Sequence, residues 1–145
     1  MKIATAPLAL ATLTGLLSIG LVTTASAGPA NGQWRNQEEH GIIEIYDCGP
    51  KLCARGMPAP EEKAAAGLRD EKNPDPALRN RPVSGIEILR DFSGGPKVWT
   101  GGSIYRPQDG KTYKGRIELI DEGTLKLTGC VVEPFCKSII WKRAS

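Results

Sequence analysis

The residue types that could do chemistry are densest in one polar stretch, residues 68–82, which reads L-R-D-E-K-N-P-D-P-A-L-R-N-R-P. Asp70, Asn73 and Asp75 could offer oxygen atoms to a calcium ion, but their order does not match the EF-hand pattern. Asn and Asp side chains also cap turns, and proline fixes φ. The pattern therefore favours turn capping, with no metal bound.

Arginines in the same stretch allow two interpretations. Arg79 and Arg81, together with Arg69, could clamp an anionic ligand through bidentate contacts. Alternatively, they pair with the acidic residues of the stretch and pin the loop to the rest of the fold. Both interpretations stay open, and Arg79 and Arg81 are kept as candidate ligand-binding residues.

Catalytic machinery is not indicated elsewhere in the chain. His40 is the one histidine, and it follows Glu38 and Glu39 in a polar turn. No G-x-S-x-G motif accompanies it, so a solvated loop histidine is favoured over a general base. Adjacent carboxylates such as Asp121 and Glu122 point to opposite faces of a strand or into solvent. We predict that the protein is not an enzyme and has no cofactor.

Four cysteines form two close pairs, C-G-P-K-L-C from Cys48 to Cys53 and C-V-V-E-P-F-C from Cys130 to Cys136. An even count in an exported chain favours disulfides, although spacing alone leaves three connectivities open. We expect Cys48–Cys53 and Cys130–Cys136, because each loop is short and contains proline. A four-cysteine zinc site is the alternative, but these spacings are looser than is usual for zinc ligands.

The start of the sequence predicts export. Met1 and Lys2 precede a mostly apolar run over residues 3–22, and A-S-A at 25–27 follows as a cleavage site of the Ala-x-Ala type. Residues 1–27 are therefore predicted to be a signal peptide, and residues 28–145 a single domain that is periplasmic or secreted. The remaining chain has no apolar run long enough to cross a bilayer.

The charge balance excludes some classes of partner. The chain has 19 Lys and Arg against 16 Asp and Glu, a net charge of +3. Removal of Lys2 with the signal peptide leaves 18 against 16, which is too small a balance to indicate nucleic acid or an anionic membrane surface. The charges are interspersed, as on solvated faces. We expect a monomer.

The elements that position these residues are predicted to be strands. Trp99, Ser103 and Tyr105 share one parity, as do Tyr113 and Ile117, and the turn signal P-Q-D-G separates the two runs. A second turn, D-E-G, returns the chain into a third strand. This region therefore predicts three antiparallel strands with large residues on one face.

Turn signals separate about eight short strands along the chain. This count predicts an all-β fold, a small closed antiparallel barrel, which has no exposed sheet edge and can leave an interior cavity. The pair Gly101-Gly102 within a strand is typical of a bulge or corner bend. A long proline-rich loop over residues 57–82 is able to cover the mouth of the barrel, and residues 61–68 could form a short helix.

Trp34 and Arg143 are predicted to meet where the barrel closes. The first and last strands of a closed barrel are neighbours, so the Arg143 guanidinium could stack over the Trp34 indole and seal one end. The G-x-W at 32–34, with an arginine on the last strand, resembles the lipocalin signature.

Six motifs along the chain point to a more specific resemblance. They are G-Q-W at 32–34, D-C-G-P-K-L-C at 47–53, N-P-D-P-A-L-R-N-R-P at 73–82, W-T-G-G-S-I-Y-R-P-Q-D-G-K-T-Y at 99–113, T-L-K-L-T-G-C at 124–130 and W-K-R at 141–143. Together they resemble the bacterial exported family known as domain of unknown function 2147. The resemblance implies a periplasmic, lipocalin-like barrel of unestablished function, and it brings no catalytic motif. The family often ends in Trp-Thr-Arg, and this chain keeps the aromatic residue and the arginine.

The leading functional hypothesis from the sequence is a binding module. Trp99, Tyr105 and Tyr113 would surround a small apolar or amphipathic ligand inside the barrel, together with some of Ile117, Leu119 and Leu125. The alternative is a structural or interaction protein of the cell envelope, in which the same side chains fill an eight-stranded barrel completely. The sequence leaves this choice open.

Overall fold

The computed structural model describes residues 28–39, 41–58 and 69–145, which form a closed antiparallel β-barrel. Its strands are β1 (Gly32–Asn36), β2 (Ile42–Cys48), β3 (Lys51–Met57), β4 (Glu87–Gly94), β5 (Val98–Arg106), β6 (Lys111–Asp121), β7 (Thr124–Val132) and β8 (Phe135–Arg143). The eight-stranded barrel predicted from the sequence is confirmed. The predicted signal peptide, His40 and the predicted helix at 61–68 lie outside the described residues.

Each strand pairs with the next one along the chain, and β1 pairs with β8 to close the barrel. Hairpin turns join the strands, except for the long connection between β3 and β4, which contains one turn of 3-10 helix, Pro76–Leu78. No helix among the described residues is long and apolar enough to span a membrane.

The predicted disulfide pairing is confirmed. Cys48–Cys53 joins β2 to β3, and Cys130–Cys136 joins two residues that lie opposite each other on β7 and β8. Each bridge therefore staples one hairpin. Because all four sulfur atoms are used in these bridges, the alternative of a four-cysteine zinc site is wrong.

Phe92 fills the middle of the barrel. A β-carbon at Gly102 would lie 2.3 Å from the Phe92 ring, and one at Gly115 would lie 2.5 Å from it. These two glycines are opposite each other on β5 and β6. The fully buried ring therefore occupies the interior volume that two inward side chains would otherwise fill. The interior of an eight-stranded barrel is only just wide enough for its inward side chains.

Toward β1 and the end of β8, the interior is packed. Trp34, Ile45, Ile117 and Leu125 are fully buried there, and Trp99 is 5% exposed. Burial of each such side chain stabilises the fold by roughly 1.5–3 kcal/mol. We refer to this part of the barrel, on the Trp34 side of Phe92, as the sealed half.

Arg143 closes the sealed half. The carbon of its guanidinium lies 4.2 Å from the centre of the Trp34 ring. The same group donates hydrogen bonds to the backbone oxygens of Pro29, Asn31 and Glu122, at 2.8, 2.9 and 2.7 Å. The two residues that the sequence predicts to meet at barrel closure therefore form a plug. The same arginine also holds the segment before β1 and the turn between β6 and β7 in place.

A bulge in β5 decides which side chains face inward. The β5–β6 register shifts at Gly101, which has a φ of 75°, so strand alternation changes phase there. Trp99 and Ile104 consequently both face the interior, whereas Tyr105 faces outward. The bend predicted at this glycine is confirmed, but the prediction that Trp99 and Tyr105 share the inner face is wrong, because the bulge inserts one residue between them.

Neighbouring glycines in β5 should respond differently to substitution. Gly102→Ala is expected to destabilise the protein by about 3 kcal/mol, because the new methyl group would overlap the Phe92 ring and would lie 2.5 Å from the backbone oxygen of Arg90. Gly101→Ala meets no atom within 4 Å and should cost about 1 kcal/mol for its positive φ. Urea unfolding measures both values, and equal losses would contradict the position assigned to Phe92.

Candidate ligand-binding site

A cavity of about 400 Å³ opens at the end of the barrel opposite the Trp34–Arg143 plug. Its lining is largely apolar and comes from β5, β6, β7 and β8: Ile104, Arg106, Tyr113, Leu127, Gly129, Val131, Phe135, Cys136, Lys137 and Ile139. Ligand pockets in proteins typically measure about 300–1,000 Å³. The cavity is therefore large enough for one small molecule.

A second cavity, of about 190 Å³, adjoins the first. The two share Ile104, Arg106, Leu127 and Ile139, and the second extends toward β1, β2 and β3. The wall of this smaller lobe also includes Trp141. We call the two lobes together the cup.

The mouth of the cup is apolar on one side. Val131 and Phe135 line the larger lobe while remaining 76% and 73% exposed, and the neighbouring Val132 is 61% exposed. These three residues surround the turn between β7 and β8, which the Cys130–Cys136 bridge holds. The apolar lining of the cup therefore continues without a break onto a rigid hairpin tip.

Polar groups gather on another side of the mouth and form a rim network. Arg106 donates to Glu39 Oε1 at 2.5 Å and to Asp109 Oδ2 at 3.2 Å. The Tyr113 hydroxyl donates to Asp109 Oδ2 at 2.5 Å, and Gln108 Nε2 donates to Glu39 Oε2 at 3.2 Å. Paired in this way, the Arg106 guanidinium is held at the edge of the cup rather than pointing freely into solvent.

The rim network shifts the titration of its members. Burial would raise the pKa of Asp109, but hydrogen bonds from Tyr113, the Lys111 backbone and Arg106 outweigh it and hold that pKa below its ordinary value. The hydrogen bond to Asp109, aided by burial, raises the pKa of Tyr113. The carboxyl group is therefore ionised and the phenol neutral at neutral pH, so the network carries a fixed pattern of charge.

Asp70 anchors the polar loop to the outer wall of the barrel. Its carboxylate is fully buried and accepts hydrogen bonds from the Tyr105 hydroxyl at 2.5 Å, from Asn73 Nδ2 at 2.7 Å and from Arg81 Nε at 2.9 Å. Arg81 Nη2 lies 2.8 Å from the same carboxylate. A buried charge is tolerated only when it is paired and hydrogen-bonded, and Asp70 meets both conditions.

Other loop contacts are those of turn capping. Asn73 accepts from the Asp75 backbone at 2.9 Å, and Asp75 accepts from the Ala77 backbone at 2.9 Å. Arg79 Nε donates to the backbone oxygen of Asn73 at 2.8 Å. The capping interpretation of the polar stretch therefore holds, and Arg79 and Arg81 brace the loop instead of lining the cup.

The loop also crosses the β5–β6 turn. A β-carbon at Gly110 would lie 1.8 Å from the backbone oxygen of Lys72, so only glycine allows this approach. The described part of the loop thus lies beside the barrel wall and touches the turn that carries Asp109. Residues 69–82 do not cover the mouth, because the buried Asp70 carboxylate holds them against Tyr105 on the outer face.

A depression of about 240 Å³ remains between this loop and the wall. Arg81, Glu87, Arg90 and Thr112 are among its lining residues. Its arginines already have partners, since Arg81 pairs with Asp70 and Arg90 Nε lies 3.2 Å from Glu87. The depression is therefore a weaker candidate than the cup.

The five predicted ligand-binding residues do not form one site. Tyr113 lines the larger lobe of the cup, and Trp99 lies in the packed core. Tyr105 borders the smaller lobe, but its hydroxyl binds Asp70, so it belongs to the loop anchor together with Arg79 and Arg81. The cup residues that sequence reasoning missed are chiefly Ile104, Leu127, Gly129 and Ile139. Ile104 would have been found by restarting the alternation after Gly101-Gly102.

Metal binding has little support. Among the described residues, Cys130, Glu133 and Cys136 form one group with metal-ligand geometry. Its two sulfur atoms are joined to each other, so they are not the thiolates that a metal ion requires.

Comparison with known proteins places the chain in a family. The family model described as "Uncharacterized protein conserved in bacteria (DUF2147)" matches residues 32–143, and the chain therefore belongs to that family. A solved structure from the human pathogen Helicobacter pylori, described as a protein of the lipocalin family, is similar with a TM-score of 0.70 and 30% sequence identity. The similarity covers 79% of this chain and 82% of that chain. Comparison with curated proteins gave no match.

Replacement of Asp70 should reveal the anchor through its pH dependence. Burial would raise the pKa of Asp70, but hydrogen bonds from Tyr105, Asn73 and Arg81 hold it below its ordinary value. The ionised carboxyl therefore stabilises the fold above a pH of about 3.9, and this stabilisation is lost as the pH falls through the folded-state pKa. Asp70→Asn is expected to lower the free energy of unfolding by about 3 kcal/mol at neutral pH.

The difference between Asp70→Asn and the wild type should shrink in acid, where the wild-type carboxyl becomes protonated. Urea unfolding from neutral pH down to the acid limit measures it. Glu71→Gln is the matched control, because the neighbouring Glu71 is exposed and its loss should stay within about 0.5 kcal/mol. If Asp70→Asn lowers the free energy of unfolding by an equally small amount, or by an amount that does not vary with pH, then the Asp70 carboxylate does not anchor the loop.

Proposed function

We propose that this member of the DUF2147 family binds a small amphipathic ligand in the cup, in the periplasm. The observation that supports this most directly is the cavity of about 400 Å³, which is lined mainly by aliphatic and aromatic residues and opens at one end of a barrel plugged at the other. Eight-stranded barrels of the lipocalin type can hold one small ligand in their interior. The Helicobacter pylori protein with the similar structure is described as belonging to that family.

The cup is apolar inside and charged at its mouth, and this difference determines how a ligand is oriented in it. Ile104, Leu127 and Ile139 form the apolar wall that both lobes share, and burial of an alkyl or ring group there contributes about 25 cal/mol per Å². Arg106 and Lys137 lie at the mouth. Both are paired with carboxylates, Arg106 with Glu39 and Asp109 and Lys137 with Glu38 at 3.4 Å. The larger polar group of the ligand is therefore placed at the mouth, where these charged groups can form hydrogen bonds with it.

The export signal predicted from the sequence supports the proposed location. The sequence carries a predicted signal peptide at residues 1–27, and both disulfides of the described domain are of the kind that persists in oxidising compartments. We propose binding rather than catalysis, because the polar side chains that could act in catalysis already bind one another. Asn73 and Arg81 both donate hydrogen bonds to Asp70, and these contacts hold the loop in place.

The packed-barrel alternative accounts for only part of the interior. Phe92 and the side chains on the Trp34 side are buried and packed together, as a structural protein would require. Beyond Ile104 the inward positions include Gly129 instead of a large residue. The cup is therefore the feature that separates the two functions.

Gly129 offers a direct test of ligand binding. Its β-carbon would lie 3.5 Å from Ile104 Cδ1 and 3.5 Å from Tyr113 Cβ, which is ordinary contact. Gly129→Leu should therefore fold and place three more carbon atoms inside the larger lobe. We expect this variant to weaken the binding of a fluorescent apolar probe, such as an anilinonaphthalene sulfonate, at least about tenfold.

The matched control is Gly129→Ala, which adds one methyl group and should bind the probe nearly as well as the wild type. Melting temperatures of all three proteins show whether the fold is kept. If Gly129→Leu is folded and binds the probe as the wild type does, then the probe does not enter the cup and the proposed function is wrong.

A further inference from the structure

Trp141 carries a buried hydrogen-bond donor without a partner. Among the described residues, two buried side-chain polar atoms lack one: Trp141 Nε1, a donor, and Asn31 Oδ1, an acceptor. Buried polar groups in proteins are nearly always paired, because an unpaired one forfeits its hydrogen bonds to water. The Trp141 indole is 7% exposed and borders the smaller lobe of the cup.

Asn31 cannot satisfy this donor. Trp141 lies opposite Asn36 in the β1–β8 pairing, and Asn31 is five residues earlier in the chain, roughly 16 Å away along an extended strand. By contrast, the buried indole of Trp34 does have a partner, since its Nε1 donates to the backbone oxygen of Ala30 at 2.8 Å. Of these two buried indoles, the unpaired one is the one that borders the cup.

Apolar side chains form much of the wall of the smaller lobe, since Ile43, Ile88, Leu127 and Ile139 line it together with the indole. The wall also contains Asn36, which lies opposite Trp141, but its Oδ1 already accepts hydrogen bonds from the backbone of Glu38 and Glu39. An N–H group set in such a wall favours a ligand atom that can accept a hydrogen bond over a methylene group of the same size, because only the acceptor restores the lost bond.

We propose that the ligand carries a hydrogen-bond acceptor, such as a carbonyl oxygen, on the part that enters the smaller lobe, and that Trp141 Nε1 donates to it. This inference rests on the proposed function and deepens it: the ligand is polar at two places, once at the mouth and once inside. A plain alkyl chain with a single head group does not meet this description.

A matched pair of probes tests the donor. The ketone 2-nonanone and the alkene 2-methyl-1-nonene have the same shape, and only the ketone has an acceptor. Their dissociation constants are measured by displacement of the fluorescent probe from the wild type and from Trp141→Phe. The ratio of the alkene constant to the ketone constant is expected to fall about tenfold in the variant.

If Trp141 has only a structural role, the variant should bind both probes more weakly by the same factor, and the ratio of the constants should not change. That result would overturn the inference, while the proposed function would survive. The same result is expected if a water molecule already accepts from Nε1. If neither probe displaces the fluorescent one from the wild type, the proposed function and this inference fail together.

A second measurement does not depend on the variant folding. In ¹⁵N-labelled wild-type protein, the indole N–H signals of the three tryptophans are followed during titration with each probe. One signal should move downfield with 2-nonanone and much less with 2-methyl-1-nonene, because a new hydrogen bond deshields the proton. Identical shifts with the two probes would overturn the inference.

Discussion

The placement of Phe92 is the constraint on which the rest of the interior depends. An eight-stranded barrel has just enough room for the side chains that point inward, so a cavity exists only where those side chains are small. The Phe92 ring fits because Gly102 and Gly115 present no side chain to it. One large ring thus fills the middle of the barrel, and the Trp34–Arg143 plug closes the end beyond it. The space that remains is gathered at the other end.

The bulge at Gly101 links this interior to the outer surface. By changing the phase of β5, it places Ile104 in the wall of the cup and turns Tyr105 outward, where its hydroxyl binds Asp70. The loop held by Asp70 then crosses the β5–β6 turn at Gly110. That turn carries Asp109, which binds Arg106 and Tyr113 at the mouth. The polar loop therefore supports the rim of the cup from outside without entering it.

Features that depend on short-range pattern were predictable from the sequence. The two disulfides close short proline-containing loops, and the Trp34–Arg143 contact follows from closure of the first strand on the last. The bend at Gly101-Gly102 was also predictable, because paired glycines within a strand have few other uses. Its consequence for Tyr105 was not, because strict alternation assumes an uninterrupted strand.

The site itself was harder to predict for two physical reasons. The burial of Asp70 depends on a loop folding back onto a wall 35 residues away, and no local pattern encodes that contact. The cup is formed largely by a missing side chain at Gly129, and a glycine in a strand does not say whether it faces a ligand, a neighbouring ring or solvent. Of the aromatic residues predicted to bind the ligand, Tyr113 alone lines the larger lobe.

The central claim is that the cup holds a ligand in the cell. Native mass spectrometry of the protein recovered from its own host tests this most directly, with Gly129→Leu prepared in parallel. The account predicts a bound species of small-molecule mass that is released by organic solvent and is absent from Gly129→Leu. Recovery of the wild-type protein only at its bare polypeptide mass, or of the same bound species on Gly129→Leu, would contradict it.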